Sequence, residues 1–156
     1  MEQENLYIDE QWKPIKDYEN LYLVSDYGRI MSLNYMNTGK HRILNLGAKP
    51  ENYLKVGLRK EGKMSYPRVH QIVVEAFLPP PQSGQTQVNH IDGNKHNNVV
   101  HGDACNLEWC TPKQNSNNPN TKANTARRYH REGEFERRRA GQLRRWAKYR
   151  ENRQHF

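Results

Sequence analysis

The stretch from Val88 to Asn115 leaves the chain the least freedom. It opens Val88-Asn89-His90-Ile91-Asp92-Gly93-Asn94, a short strand that delivers the polar pair Asn89 and His90 into an Asp-Gly-Asn turn. Leu107, Trp109 and Thr111 alternate with Glu108 and Cys110, which predicts a second, partly buried strand. Thr111-Pro112-Lys113-Gln114 then starts a helix, with Thr as N-cap, Pro at the first helical position and Gln three residues after the cap. Asn115 therefore falls in the first turn, at the electropositive end of the helix. Strand, loop, strand and helix, with His at one end and Asn at the other, make an arrangement able to hold one divalent metal against a phosphate.

His90, Asn106 and Asn115 in this frame resemble the motif of HNH nucleases, whose fold is a ββα-metal finger. The longer pattern is Val-Asn-His-Ile-Asp-Gly-Asn-Lys from Val88, Asn-Leu-Glu-Trp from Asn106 and Thr-Pro-x-x-Asn from Thr111. It is similar to the branch found in phage and intron-encoded, homing-type nicking endonucleases. The resemblance implies a metal-dependent DNA endonuclease that hydrolyses phosphodiester bonds at preferred sites and leaves 5′ phosphate and 3′ hydroxyl ends.

His90 is then the general base that takes a proton from water at cellular pH. Asn89 and Asn115 each offer an amide oxygen to one Mg²⁺ or Mn²⁺ per active site, an ion that neutralises the phosphate and the leaving oxygen together. Asn106 matches the central Asn of the family, which braces the loop and orients the base. Many relatives carry Asp where this chain has Asn89, and a neutral amide attracts a cation less, so metal affinity without DNA is expected to be poor. Asp92 is a second candidate ligand, weighed against a plain turn residue. The loop Asn97–Cys105 is a few residues longer than the family's usual connection and brings His96, His101, Cys105 and Cys110 close in sequence. Some relatives brace this region with zinc. The spacing here contains no CxxC, so free thiols and surface histidines are expected instead.

At 156 residues the chain has room for one domain, or a domain plus an appendage, and with 34% hydrophobic residues only a small core. No apolar run nears the length of a membrane span, and the start Met1-Glu2-Gln3-Glu4 is unlike a signal peptide. Two cysteines do not suggest a disulfide scaffold. The expected setting is the cytoplasm, that of a bacterial host during phage infection.

The net charge of +8 is unevenly distributed. Residues 1–112 hold 12 Lys and Arg against 13 Asp and Glu, a net of −1, whereas residues 113–156 hold 13 against 4, a net of +9. A neutral body with an arginine-rich end has a polyanion as its partner, here double-stranded DNA.

Ahead of the finger, Trp12 to Leu33 is rich in aromatic and β-branched residues and is cut by Asp26-Tyr27-Gly28, which predicts two short strands joined by a turn. The segment resembles the small modular domain found ahead of HNH motifs in phage endonucleases. That resemblance makes Arg29 and Ser32 candidates for DNA contact; the residues alone read as a β-hairpin with one solvated Arg. Residues 42–66 suggest more antiparallel strand, with a break at Gly47 and a turn at Glu61-Gly62. Their lysines and arginines suit a DNA face and an ordinary solvated sheet equally. Val69, Ile72, Val73, Ala76 and Phe77 predict a helix with one apolar face, ended by Pro79-Pro80-Pro81. His70 at its start reads as a structural group.

After the Ser/Asn-rich joint at 115–120, the tail interleaves arginines with Tyr129, Phe135, Leu143, Trp146 and Tyr149. It has helical composition with too thin an apolar stripe for a core. Arg127, Arg128, Arg131, Arg137, Arg138, Arg144, Arg145 and Lys148 are its candidate DNA contacts. The expected architecture is α+β: a small antiparallel β-rich N-terminal module (residues 1–66), a helix plus ββα-metal finger (67–118) and a basic helical arm (119–156). One finger implies one active site, hence a nicking monomer. The alternatives are a DNA-binding protein with a catalytically silent finger and a dimeric, restriction-type HNH nuclease.

Overall fold

The computed structural model describes residues 9–47 and 52–123 and, beyond them, 125–127, 130, 132–133, 136–137 and 139–140. Four antiparallel strands open the chain, paired in sequence order: β1 (Trp12–Pro14), β2 (Tyr22–Ser25), β3 (Ile30–Ser32) and β4 (Arg42–Ile43). The sequence predicts two strands between Trp12 and Leu33, and the structure forms three. Trp12–Pro14 pairs with β2, Trp12 lying opposite Ser25 and Pro14 opposite Leu23. A Pro in the strand is tolerated because β1 is an edge. The Asp26-Tyr27-Gly28 turn forms as expected, with Gly28 N–H donating to Ser25 O and Gly28 at φ +77.

A second hairpin, β5 (Leu58–Lys60) and β6 (Lys63–Ser65), turns at Glu61-Gly62, both at positive φ, the geometry that suits tightly twisted strands. Helix α1 (Val69–Phe77) buries Val69, Ile72, Val73 and Val74, and Leu78 is already extended before Pro79. The last hairpin, β7 (Gln87–His90) and β8 (Leu107–Cys110), sets Asn89 opposite Glu108 and His90 opposite Leu107. It leads into α2 (Pro112–Asn117). There Thr111 Oγ1 accepts from Gln114 N–H at 3.2 Å while Gln114 Oε1 accepts from Thr111 N–H at 2.8 Å, the reciprocal cap foreseen in the sequence.

The core joins all of these pieces. Ile15, Val24 and Ile30 of the first sheet meet Val56 and Leu58, the buried face of α1 and Leu107 of β8. Each such side chain stabilises the fold by about 1.5–3 kcal/mol. A chain this polar therefore depends on pooling the apolar residues of its N-terminal module and its finger. Met1–Asn115 accordingly forms one compact unit and Ser116–Phe156 another. The mixed α+β class agrees with the expectation. Among the described residues no helix is long and apolar enough to cross a membrane.

Candidate active site

Asn89 and His90 are both buried at the end of β7, where strand alternation sends their side chains to opposite sides of the hairpin. On one side, Asn89 Nδ2 donates to Glu108 Oε1 at 2.7 Å, and Asn115 Nδ2 donates to Gln87 Oε1 at 2.8 Å. A carboxylate only accepts, so the Asn89 amide is fixed with its oxygen turned the other way. No hydrogen bond occupies either amide oxygen among the described residues. The Asn89 oxygen, oriented by Glu108, and the Asn115 oxygen are hard donors of the kind Mg²⁺ and Mn²⁺ take, so the residues fit such an ion.

On the other side lies the imidazole. His90 Nε2 sits 3.0 Å from Asn98 Oδ1. An amide oxygen only accepts, so the proton is on Nε2 and Nδ1 keeps the lone pair. Burial pushes the His90 pKa below its ordinary value, opposed by the Asn98 hydrogen bond and Asp92 and assisted by Lys95 and His96. The ring is neutral near pH 7, as a proton acceptor must be.

Two further rings pack here. His70 lies edge-on to His90 with centroids 5.2 Å apart, and Tyr53 is 4.6 Å from His70 and 5.8 Å from His90. Arg68 and Lys95 approach the Tyr53 ring at 5.2 and 5.0 Å. His70 is buried with Nδ1 lacking any partner among the described residues, and its pKa falls to about 4, chiefly through burial and then through repulsion from His90 and Arg68. A packing role foreseen for this residue understates where it packs: it is a wall of the site.

Asn106 is held within the loop. Its Oδ1 accepts from Asp92 N–H at 2.9 Å, and its Nδ2 donates to Asp92 Oδ1 at 2.9 Å and Asn97 O at 2.8 Å. It reaches His90 only through this loop, and the ring's own partner is Asn98. Asp92, the second candidate ligand, is a turn residue: its carboxylate accepts from Asn94 N–H, Asn97 Nδ2 and Asn106 Nδ2. Burial pushes its pKa up, but those hydrogen bonds outweigh it and hold the carboxyl below the usual range.

The long loop 97–105 is strapped to the first module. Asp26 O accepts from Val100 N–H at 2.7 Å, Asp26 Oδ2 meets His101 Nδ1 at 2.6 Å, and Tyr27 stacks on His101 at 4.9 Å. Gly28 lies against Asn98 so closely that a Cβ there would stand 2.8 Å from Asn98 Cβ. His96 turns to Asn52 O and Cys105 to Leu107 O, so the His and Cys residues of this region take separate partners. Among the described residues no three His, Cys, Asp or Glu side chains gather as metal ligands.

The other predicted residues are placed differently. Arg29 forks onto the Glu10 carboxylate, with the Trp12 ring 5.6 Å away, and Ser32 is buried in β3. Arg127 and Arg137 are exposed at helical positions of the arm. Arg128, Arg131, Arg138, Arg144, Arg145 and Lys148 lie outside the described residues. Sequence reasoning did not single out Asn98, Glu108 or Tyr53. The Asn97-Asn98 pair offered a signal, but nothing in its spacing shows that the loop folds back onto His90.

Residues 10–59 match the NUMOD4 motif and residues 68–117 match the family described as HNH endonuclease. DNA endonuclease I-HmuI of Bacillus phage SP01 is 39% identical over 108 residues, covering 69% of this chain and 56% of that protein. An uncharacterized HNH endonuclease of Acanthamoeba polyphaga mimivirus is 34% identical over 102 residues, covering 65% of this chain and 28% of that protein. A solved structure titled for DNA binding and cleavage by the HNH homing endonuclease I-HmuI matches with a TM-score of 0.60 at 33% identity, over 78% of this chain and 66% of that one. The chain thus spans little more than half of the first relative and little more than a quarter of the second. It belongs to the HNH endonucleases, with the HNH segment at residues 68–117 and a NUMOD4 motif ahead of it at residues 10–59.

Proposed function

We propose that the protein is a metal-dependent DNA endonuclease that nicks one strand of a duplex at preferred sites. The observation that carries this reading is the buried His90, its tautomer set by Asn98, next in β7 to Asn89, whose amide is oriented by Glu108. His90 Nδ1 takes the proton of the attacking water, and the Nε2–H bond to Asn98 steadies the imidazolium that results. The ring wall of His70 and Tyr53 keeps bulk water from the base, while Arg68 and Lys95 supply positive charge toward a phosphate.

Asn89 and Asn115 would hold one Mg²⁺ or Mn²⁺, which supplies charge neutralisation at the phosphoryl oxygens and the departing 3′ oxygen. In-line displacement needs the base and the leaving-group stabiliser on opposite sides of phosphorus, and the alternation of Asn89 and His90 across β7 suits that demand. Products carry 5′ phosphate and 3′ hydroxyl ends.

The DNA partner is gripped by the basic arm: Arg127 and Arg137, with Arg128, Arg131, Arg138, Arg144, Arg145 and Lys148 in the same stretch. Asn106 serves the base indirectly by holding its loop. In this reading Arg29 would have to leave Glu10 to meet DNA, and Ser32 would act through β3. The protein works as a monomer in the cytoplasm of a bacterial host during phage infection.

The test is nicking of supercoiled DNA with Mg²⁺, Mn²⁺ or EDTA, beside His90→Ala. Metal-dependent open circles that vanish in the variant support the reading. Direct linear product points to a dimeric double-strand cutter, and binding with no cutting under either metal points to a silent finger.

A further inference from the structure

We propose that Glu108 supplies the negative charge of the metal site and acts through Asn89 as a positioning residue. This rests on the reading that Asn89 and Asn115 hold the ion. Two amide oxygens carry dipoles but no net charge, and hard divalent cations favour sites that include carboxylates. The turn carboxylate of Asp92 is already engaged by Asn94, Asn97 and Asn106. Among the described residues no cluster of acidic or imidazole ligands stands in for it.

Glu108 stands opposite Asn89 in the β7–β8 register and on the same face, and its Oε1 accepts the Asn89 amide at 2.7 Å. That bond does two things. It fixes the amide with Oδ1 outward, and it draws the amide N–H toward a full negative charge, which makes Oδ1 the more electron-rich donor to a cation. Glu108 is exposed, so its charge faces the same solvent from which an ion arrives. The arrangement divides one ligand into two parts, a neutral oxygen that touches the ion and a carboxylate behind it.

The test measures Mn²⁺ uptake by the full-length protein without DNA, by electron paramagnetic resonance of the free ion and by water-proton relaxation. Glu108→Gln keeps an acceptor for Asn89 but removes the charge; Glu108→Ala removes both. Each is expected to weaken Mn²⁺ binding by about 10–100-fold, the range typical of partners behind a metal ligand. Asn89→Asp combined with Glu108→Gln is expected to restore affinity to the wild-type level or above. Glu108→Gln keeps an acceptor for the buried Asn89 amide and should keep the wild-type unfolding midpoint, whereas Glu108→Ala should lower it as that donor loses its partner.

If Asn89→Ala and Asn115→Ala lose Mn²⁺ while both Glu108 variants bind as wild type, the site stands and the role of Glu108 is overturned. If the Asn variants also bind as wild type, the metal-site reading falls with it. A wild-type protein that takes up no Mn²⁺ into the millimolar range overturns the charge-supplying role as well.

Discussion

A neutral imidazole offers one lone pair, and the group bonded to one nitrogen decides that the other carries it. At His90 that decision belongs to Asn98, from within a loop that shows no other sign of taking part in the chemistry. Asn98→Ala should leave DNA affinity unchanged and lower the nicking rate by about 10–100-fold; Asn98→Asp, which still accepts, should recover most of it. Single-turnover nicking beside a binding assay separates the two effects.

Burial lowers the His90 pKa, so the proposed base stays unprotonated to lower pH than a free imidazole. The rate should rise with pH through a value below about 6.5 and then level off. A rate against pH curve whose rise is centred at or above that value would contradict this. His70 carries the same shift into stability. Its folded pKa of about 4 lies below the ordinary 6.5, so above 6.5 both states are neutral and nothing is lost. Between 6.5 and 4 only the unfolded chain binds the proton, and the group costs up to about 3 kcal/mol, after which the loss flattens. Urea unfolding across this range should show the fall, reduced in His70→Gln to the share left by His90.

Short local elements were the most legible in the sequence. The Thr111–Gln114 cap, the Asp26–Gly28 and Glu61–Gly62 turns and the apolar face of α1 all follow from nearest neighbours, and each forms as read. What escaped reading depends on distant partners. The strand at Trp12–Pro14 is too short to announce itself without β2. The alternation in β8 identified a strand but gave no hint that Glu108 would meet Asn89, because register is set across the hairpin. The strap between loop 97–105 and the Asp26–Gly28 turn joins residues more than 70 positions apart. Gly28→Ala tests that strap. Positive φ and the 2.8 Å approach to Asn98 Cβ leave no room for a methyl. A loss of about 1–3 kcal/mol in urea unfolding is expected, with a fall in nicking rate larger than stability alone explains.

At the scale of the whole molecule, charge and packing divide the chain at nearly the same place. The compact unit ends at Asn115, and the basic excess begins at Lys113. The division of charge was readable in the sequence because it needs no folding; the pooled core was not, because its halves are separated by loops. Truncation after residue 118 should leave Met1–Asn115 folded by circular dichroism. It should also weaken duplex binding and flatten the dependence of affinity on salt, since each lost phosphate contact removes nearly one unit of slope. An unchanged slope would mean that the arm is not the phosphate-binding part.

The strap also bears on how such proteins diversify. Two segments matched by separate family models could be expected to meet at a passive seam, yet here the turn of the leading module presses on Asn98, the partner of His90. A chimaera that keeps this finger but imports another leading module would inherit the proposed ligands and His90 without the turn that braces Asn98 against the ring. Exchange would succeed only between modules whose turn and loop have been tuned as a pair, so the unit that recombination must carry is the interlocked couple.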